Sequence, residues 1–211
     1  MKKILLLLPF LLLGGCYQDT INSFSTFTFQ FIVNLNTIYF DRMAPSVSLD
    51  FTNLNKYDEY HENKDKISKS QLLQFNFWID SLVLENNQPY DPKKDNLEFE
   101  YVIYSLVFAR PIAGNVTSDD PNDFVPDPTI QEFELGRFTN ANVRDFYRKA
   151  HHIIDIPPQI SDQIGQQLLT TPYFYIKTSY GKVNGSLDKH RFPFLKANFD
   201  LAIRFKVDLK E

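Results

Sequence analysis

The 211-residue chain sets 22 Lys and Arg against 26 Asp and Glu, a net charge of −4, and has no basic cluster for a phosphate backbone. Nucleic acid is therefore excluded as a partner on electrostatic grounds, and anionic headgroups are disfavoured. Twenty Phe and eleven Tyr supply enough apolar surface for one sizeable core, while a single cysteine excludes an intrachain disulfide.

Met1-Lys2-Lys3 is a short basic start, and residues 4–13 are apolar apart from Pro9. Gly14-Gly15 and then Cys16 follow. A cationic start, an apolar run of about ten residues and small residues before a processing point describe an export signal. The run falls short of the roughly 20 apolar residues of a spanning helix. Leu13-Gly14-Gly15-Cys16 resembles the lipobox of bacterial lipoproteins. The resemblance implies cleavage before Cys16, acylation of its thiol (a palmitate-type anchor) and attachment to a membrane. Tyr17 rather than Asp follows, which by the same resemblance points to the outer membrane and leaves the leaflet open. Residues 1–15 are thus expected to be a removed signal peptide, residues 16–24 the lipidated cysteine and tether, and residues 25–211 one domain. The tether spans at most about 25 Å.

Alternation dominates the rest of the chain. Phe27, Phe29, Phe31, Val33 and Leu35 share one strand face, opposite Thr26, Thr28, Gln30 and Asn34. Val47, Leu49 and Phe51 repeat the pattern and predict a second apolar face. Residues 72–84 and 97–110 read as strands apolar on both faces, so the sheet holding them needs a cover on its outer side. A final strand runs from Leu195 to Leu209, apolar at odd positions and charged or amide-bearing opposite.

One helical segment is predicted at about 139–169. Thr139 or Asn140 caps a helix whose Val143, Phe146, Tyr147 and Ala150 recur at i, i+3, i+4 and i+7. Pro157-Pro158 ends it or the loop after it, and a second helix from Ser161 to Leu169 is closed by Pro172. Short strands, turn signals and no βαβ rhythm predict a mainly β fold, an antiparallel β-sandwich with Ig-like general architecture and the helices over the outer face of the sheet formed by 72–84 and 97–110.

Candidate sites follow from residue type. Tyr57, Tyr60 and Tyr90 fall in polar loops, where exposed rings would stack on a glycan or a protein partner. Asp119, Asp120, Asp123 and Asp127 crowd one loop as oxygen donors of the kind calcium takes, although the spacing is not that of an EF-hand. Adjacent His151 and His152 lack the i, i+4 spacing of a helical zinc pair. Glu98 and Glu100 share a strand face at a separation used by paired-carboxylate hydrolases. No nucleophile elbow, phosphate loop or dinucleotide fingerprint occurs, so a non-enzymatic role with no cofactor is expected. Asp19-Thr20-Ile21 and Asp80-Ser81-Leu82 resemble the O-glycosylation motif of Bacteroidota, and the whole chain resembles β-sandwich lipoproteins of that phylum. The expected function is a membrane-anchored envelope module that binds a glycan, a peptide or an envelope protein through its loops. The alternative is an assembly subunit that accepts a partner strand on its final strand, against which the alternating charges of that strand count, and a hydrolase ranks last.

Overall fold

A computed structural model describes residues 26–43, 45–114, 118–148, 152–185 and 191–209. Cys16, the signal segment, the tether, Asp19-Thr20-Ile21 and His151 lie outside them. The strands are β1 (Thr26–Met43), β2 (Ser46–Asn53), β3 (Ile67–Val83), β4 (Leu97–Pro111), β5 (Phe124–Pro126), β6 (Phe133–Asn142), β7 (His152–Asp155), β8 (Tyr173–Tyr180), β9 (Val183–Gly185) and β10 (Arg191–Asp208). Two antiparallel sheets face each other, as expected of a β-sandwich. The first has the order β1-β10-β3-β7. In the second, β2 pairs β8, β8 pairs β4, and the far side of β4 takes β5 and β6.

β1 and β10 run in one unbroken register from Thr26 opposite Asp208 to Met43 opposite Arg191. The alternation of β10 is realised up to Val207: Leu195, Ala197, Phe199, Leu201, Ile203, Phe205 and Val207 are all buried, while Leu209 lies past the strand and is exposed. β10 lies between β1 and β3, so it is an interior strand and not the exposed edge that the alternative assembly reading requires. The edges of that sheet are β1 and β7.

β3 and β4 belong to opposite sheets, which corrects their expected pairing in one sheet. Their inner faces form the centre of the core, where Tyr104 packs between Phe75, Phe77 and Phe199 at 5.1, 4.4 and 5.8 Å. The two apolar faces read for residues 72–84 have a different cause. The register against β10 slips by one residue at three places, near Ser68, Leu73 and Asp80. Each slip is a bulge that flips the parity of the strand. Leu72, Phe75, Phe77, Ile79 and Leu82 therefore all point inward despite their mixed odd and even numbers.

β2 is also reversed from expectation. Ser48 and Thr52 face the core, while Val47 and Leu49 are exposed. Phe51 lies on the outer face in a separate apolar cluster with Val107, Ala109, Phe124, Tyr173 and Tyr175. The cover of this second sheet is thus Phe124, delivered by the Asp- and Pro-rich loop, and not a helix.

Residues 139–148 do not form the predicted helix, and Ala150 lies outside the described residues. β6 continues to Asn142, whose side chain caps the single-turn helix Val143–Phe146 by accepting from Arg144 N at 3.0 Å. Tyr147 then bridges to Ile79. Val143, Phe146 and Tyr147 are buried as the periodicity demanded, but from a turn and an extended residue. Numbered in chain order, α1 is the short helix Asp58–His61, α2 is Val143–Phe146 and α3 is Pro158–Leu168. Pro158 opens α3 at its first turn instead of ending a preceding helix, a position where its missing N–H costs nothing. α3 lies along β3 beyond β7 and buries Ile164 and Leu168 in the common core. The approach is close: a Cβ on Gly165 would sit 1.9 Å from the carbonyl oxygen of Ser70.

Candidate functional site

The outer face of the first sheet carries an ordered polar lattice. The β1 to β10 to β3 register places side chains in rows across it: Gln30, Arg204 and Gln71; Ile32, Ala202 and Gln74; Asn34, Asp200 and Asn76; Asn36, Asn198 and Trp78. Rows on one face are about 6.6–6.8 Å apart along a strand, and neighbours across strands about 4.8 Å. Seven of these side chains are amides, each bearing both donors and acceptors. Asn34 Nδ2 donates to Asp200 Oδ1 at 2.6 Å, and Gln74 Nε2 donates to Asp155 Oδ1 at 3.0 Å. These bonds hold two of the amides in set orientations. Beyond the Trp78 row, Lys196 pairs with Asp80 at 3.0 Å, and Arg148 Nε donates to the Asp80 carbonyl at 3.2 Å. Trp78 is half-buried, with Asn36 exposed two strands away. The result is a donor and acceptor surface of seven amides, with Arg204 and Asp200 on its central strand and an indole in its last amide row.

The sequence signal for this face was half visible. The polar positions of β1 and β10 alternate cleanly, but the bulges at Leu73 and Asp80 disguise Gln74, Asn76 and Trp78 as members of the same face.

The tyrosines expected to be exposed fold inward. Tyr60 is 4% exposed and Tyr90 3% exposed, so neither offers a ring to a ligand. Tyr60 stacks edge-on against Phe205 at 5.4 Å, its hydroxyl near the Leu168 carbonyl, and burial raises its pKa to about 12. Tyr90 meets Tyr147 edge-on at 5.0 Å. Tyr57 is half-buried against Phe31 at 5.3 Å, and burial raises its pKa. The driving force is apolar: each ring removes more surface from water by closing the sandwich ends than by remaining in a loop.

The four aspartates do not converge. Asp119 accepts from Asn53 Nδ2 at 2.9 Å. Asp120 accepts from Asn122 N, also at 2.9 Å, and caps the 3-10 turn Pro121–Asp123. Asp123 accepts from the Ser118 hydroxyl. Asp127 accepts from the Thr129 hydroxyl and N–H, which hold its carboxyl below the usual range. Each carboxylate organises its own turn, and among the described residues no three His, Cys, Asp or Glu side chains gather around a common point. What the loop delivers is Phe124, whose carbonyl accepts from the Tyr175 hydroxyl at 2.9 Å.

Glu98 and Glu100 lie on β4, Glu100 exposed, and Asp80-Ser81-Leu82 lies within β3 with Leu82 buried. A polar cleft of about 250 Å³ opens between Asn55, Lys56, His61, Lys64, Asp119 and Tyr173. Its cations are all exposed, and it mixes both signs of charge. A void of about 40 Å³ between the sheets is lined by core rings and Thr178, room for little more than a water. Among the described residues no helix is long and apolar enough to cross a membrane.

No family model matches the chain, and no curated protein does. Solved structures do. A decameric BFDV capsid protein aligns at 7% identity over 85% of this chain and 98% of its own, with a TM-score of 0.35. The VP1 protein of Trichodysplasia spinulosa-associated polyomavirus, solved in complex with GM1 oligosaccharide, aligns at 8% identity over 84% and 95%, TM-score 0.36. Desmodium yellow mottle tymovirus aligns at 10% identity over 88% and 90%, TM-score 0.29.

Proposed function

We propose that the protein is a lipid-anchored, non-catalytic recognition module of the bacterial envelope, which holds a neutral glycan against the outer face of its first sheet. The anchor rests on the resemblance of Leu13-Gly14-Gly15-Cys16 to a lipobox, and the Tyr17 that follows favours the outer membrane. The observation that carries the binding reading is the amide lattice ending at Trp78. A sugar hydroxyl both donates and accepts, as each Asn and Gln does, and the apolar face of a pyranose suits an indole. A single uncharged ligand would meet Asn36, Asn198 and Trp78 along one row. The tyrosine-bearing loops are not part of this reading, because their rings close the sandwich.

The test is binding of neutral oligosaccharides to the purified protein by array and calorimetry. Trp78→Ala and the double variant Asn36→Ala/Asn198→Ala are expected to weaken binding at least about tenfold with the fold intact by circular dichroism. Wild-type protein that retains no neutral glycan, or variants that bind as well as wild type, would overturn the ligand assignment. Fractionation tests the anchor: Cys16→Ala should move from membrane to soluble fraction, and membrane retention of that variant sinks it. Protease shaving of intact cells then decides between the surface and the periplasmic side.

A further inference from the structure

The two edges of the first sheet are built very differently. β7 is four residues long, and α3 continues along the same side of β3. β1 is 18 residues long, in unbroken register with β10, and among the described residues its other side has no hydrogen-bonded strand. From Thr26 to Phe40 it contains no charge, no Pro and no Gly. Natural edges are blunted by lysines, prolines, bulges or short length. β1 has none of these devices, and it exposes Ile32 at 53% and Ile38 at 49% on its outer face.

We infer that β1 is a pairing surface for a second copy of this chain, joined antiparallel about a two-fold axis at Leu35. The centre of the strand is complementary to itself in that register. Ile32 comes opposite Ile38 of the second copy, and Asn34 opposite Asn36, so around the axis apolar meets apolar and amide meets amide, with Gln30 opposite Phe40 further out. A homotypic edge presents the same charge twice, so it cannot use charge complementarity along a strand of one sign; an uncharged strand is what such pairing needs. A shift of two residues would set isoleucines against asparagines. The pair forms one continuous eight-stranded sheet and lines up two amide faces side by side. β2, the edge of the facing sheet, is tied to the same flank through Tyr39, whose hydroxyl contacts Ser48 and Asp50 at 2.8 Å.

The experiment uses full-length protein, with the parent carrying Cys16 alone as the background for cross-linking. Two differently tagged variants, Asn34→Cys and Asn36→Cys, are co-expressed and oxidised. The expected result is a mixed disulfide dimer as the main species, at least about fivefold above the parent. Thr28→Cys with Gln30→Cys, which the proposed register keeps apart, should stay at background. Charge reversal checks the same register. Ile32→Lys/Ile38→Lys sets like charges opposite each other and should weaken the dimer at least about tenfold, while Ile32→Lys/Ile38→Glu sets opposite charges there and should restore it. Both positions are exposed in the single copy, so loss of folding is not expected, and light scattering of wild-type protein gives a reading independent of every variant. A wild-type monomer at micromolar concentration overturns the inference, as it would if residues 17–25 covered the edge. So does cross-linking in another register, or a dimer indifferent to the charge pair.

Discussion

The Tyr39 hydroxyl lies 2.8 Å from a carboxylate oxygen of Asp50 and 2.8 Å from the Ser48 hydroxyl, which fastens the inner face of β1 to that of β2 across the two sheets. This contact explains why Ser48 and Asp50 face inward while Val47 and Leu49 face out. A buried tyrosine hydroxyl needs polar partners, and the register of β2 supplies them.

Replacing Tyr39 by Phe removes the donor while leaving the ring. Stability should fall by about 1–3 kcal/mol, because Ser48 and Asp50 remain in a half-dry site with one partner fewer. Urea unfolding monitored by circular dichroism measures it. An unchanged midpoint would mean that water substitutes freely there.

The buried tyrosines also make the fold sensitive to alkali. Burial raises the pKa of Tyr60 to about 12 from 10.0, and that of Tyr104 well above its usual value. Burial and then the Asp50 charge do the same for Tyr39. In each case the folded state keeps a proton that the unfolded chain loses near pH 10. Stability is therefore fully present below pH 10 and declines as pH rises, over the window from 10 to about 12 for Tyr60. Ultraviolet titration should show a late, cooperative rise in tyrosinate that coincides with loss of circular dichroism. Gradual ionisation with the fold intact would contradict this.

Gly165→Ala should destabilise, against the ordinary helical preference for alanine. The added Cβ meets the Ser70 carbonyl at 1.9 Å, and backbone cannot swing aside as a side chain can. Overpacking of this kind costs about 1–3 kcal/mol, more than the roughly 1 kcal/mol that alanine contributes in an open helix. Gln166→Ala, at the exposed neighbouring position, is the control and should leave the midpoint unchanged or raised.

Phe124→Ala should uncover the outer face of the second sheet. Phe124 packs on Phe51 at 4.6 Å and on Tyr173 at 4.7 Å. A loss of about 3–5 kcal/mol is expected for a buried Phe. Hydrogen exchange should rise first in β5 and the outer cluster around Tyr175, while the β10 amides stay protected. Equal loss of protection in β10 would show that the cluster is not a separate unit.

The parts of this fold that were legible in the sequence are those where local pattern and tertiary environment agree. β1 and β10 keep strict alternation because their mutual register has no slip. β3 was misread because a period of two assumes no bulge, and it contains three. Residues 139–148 depart from their pattern for a related reason: Val143, Phe146 and Tyr147 are buried at helical spacing, but the register with β4 carries the chain as a strand to Asn142 and leaves room for one turn. Of the candidate site residues, Tyr60 and Tyr90 lie in polar stretches whose rings turn inward, which no local pattern reports. The amide face was visible on two strands and hidden on the third.

The long β1–β10 ladder has a consequence in time. Thr26 pairs with Asp208, so β1 finds its neighbour only when β10, more than 140 residues further along the chain, has been made. Contacts so distant along the chain form slowly, since the loop between them must be closed before any bond rewards it. Until then an uncharged, strand-prone segment waits with both of its sides open, in the sort of state that invites aggregation. The topology thus favours keeping β1 unfolded or shielded until β10 has emerged, and a factor that accompanies the chain during biogenesis would act on β1.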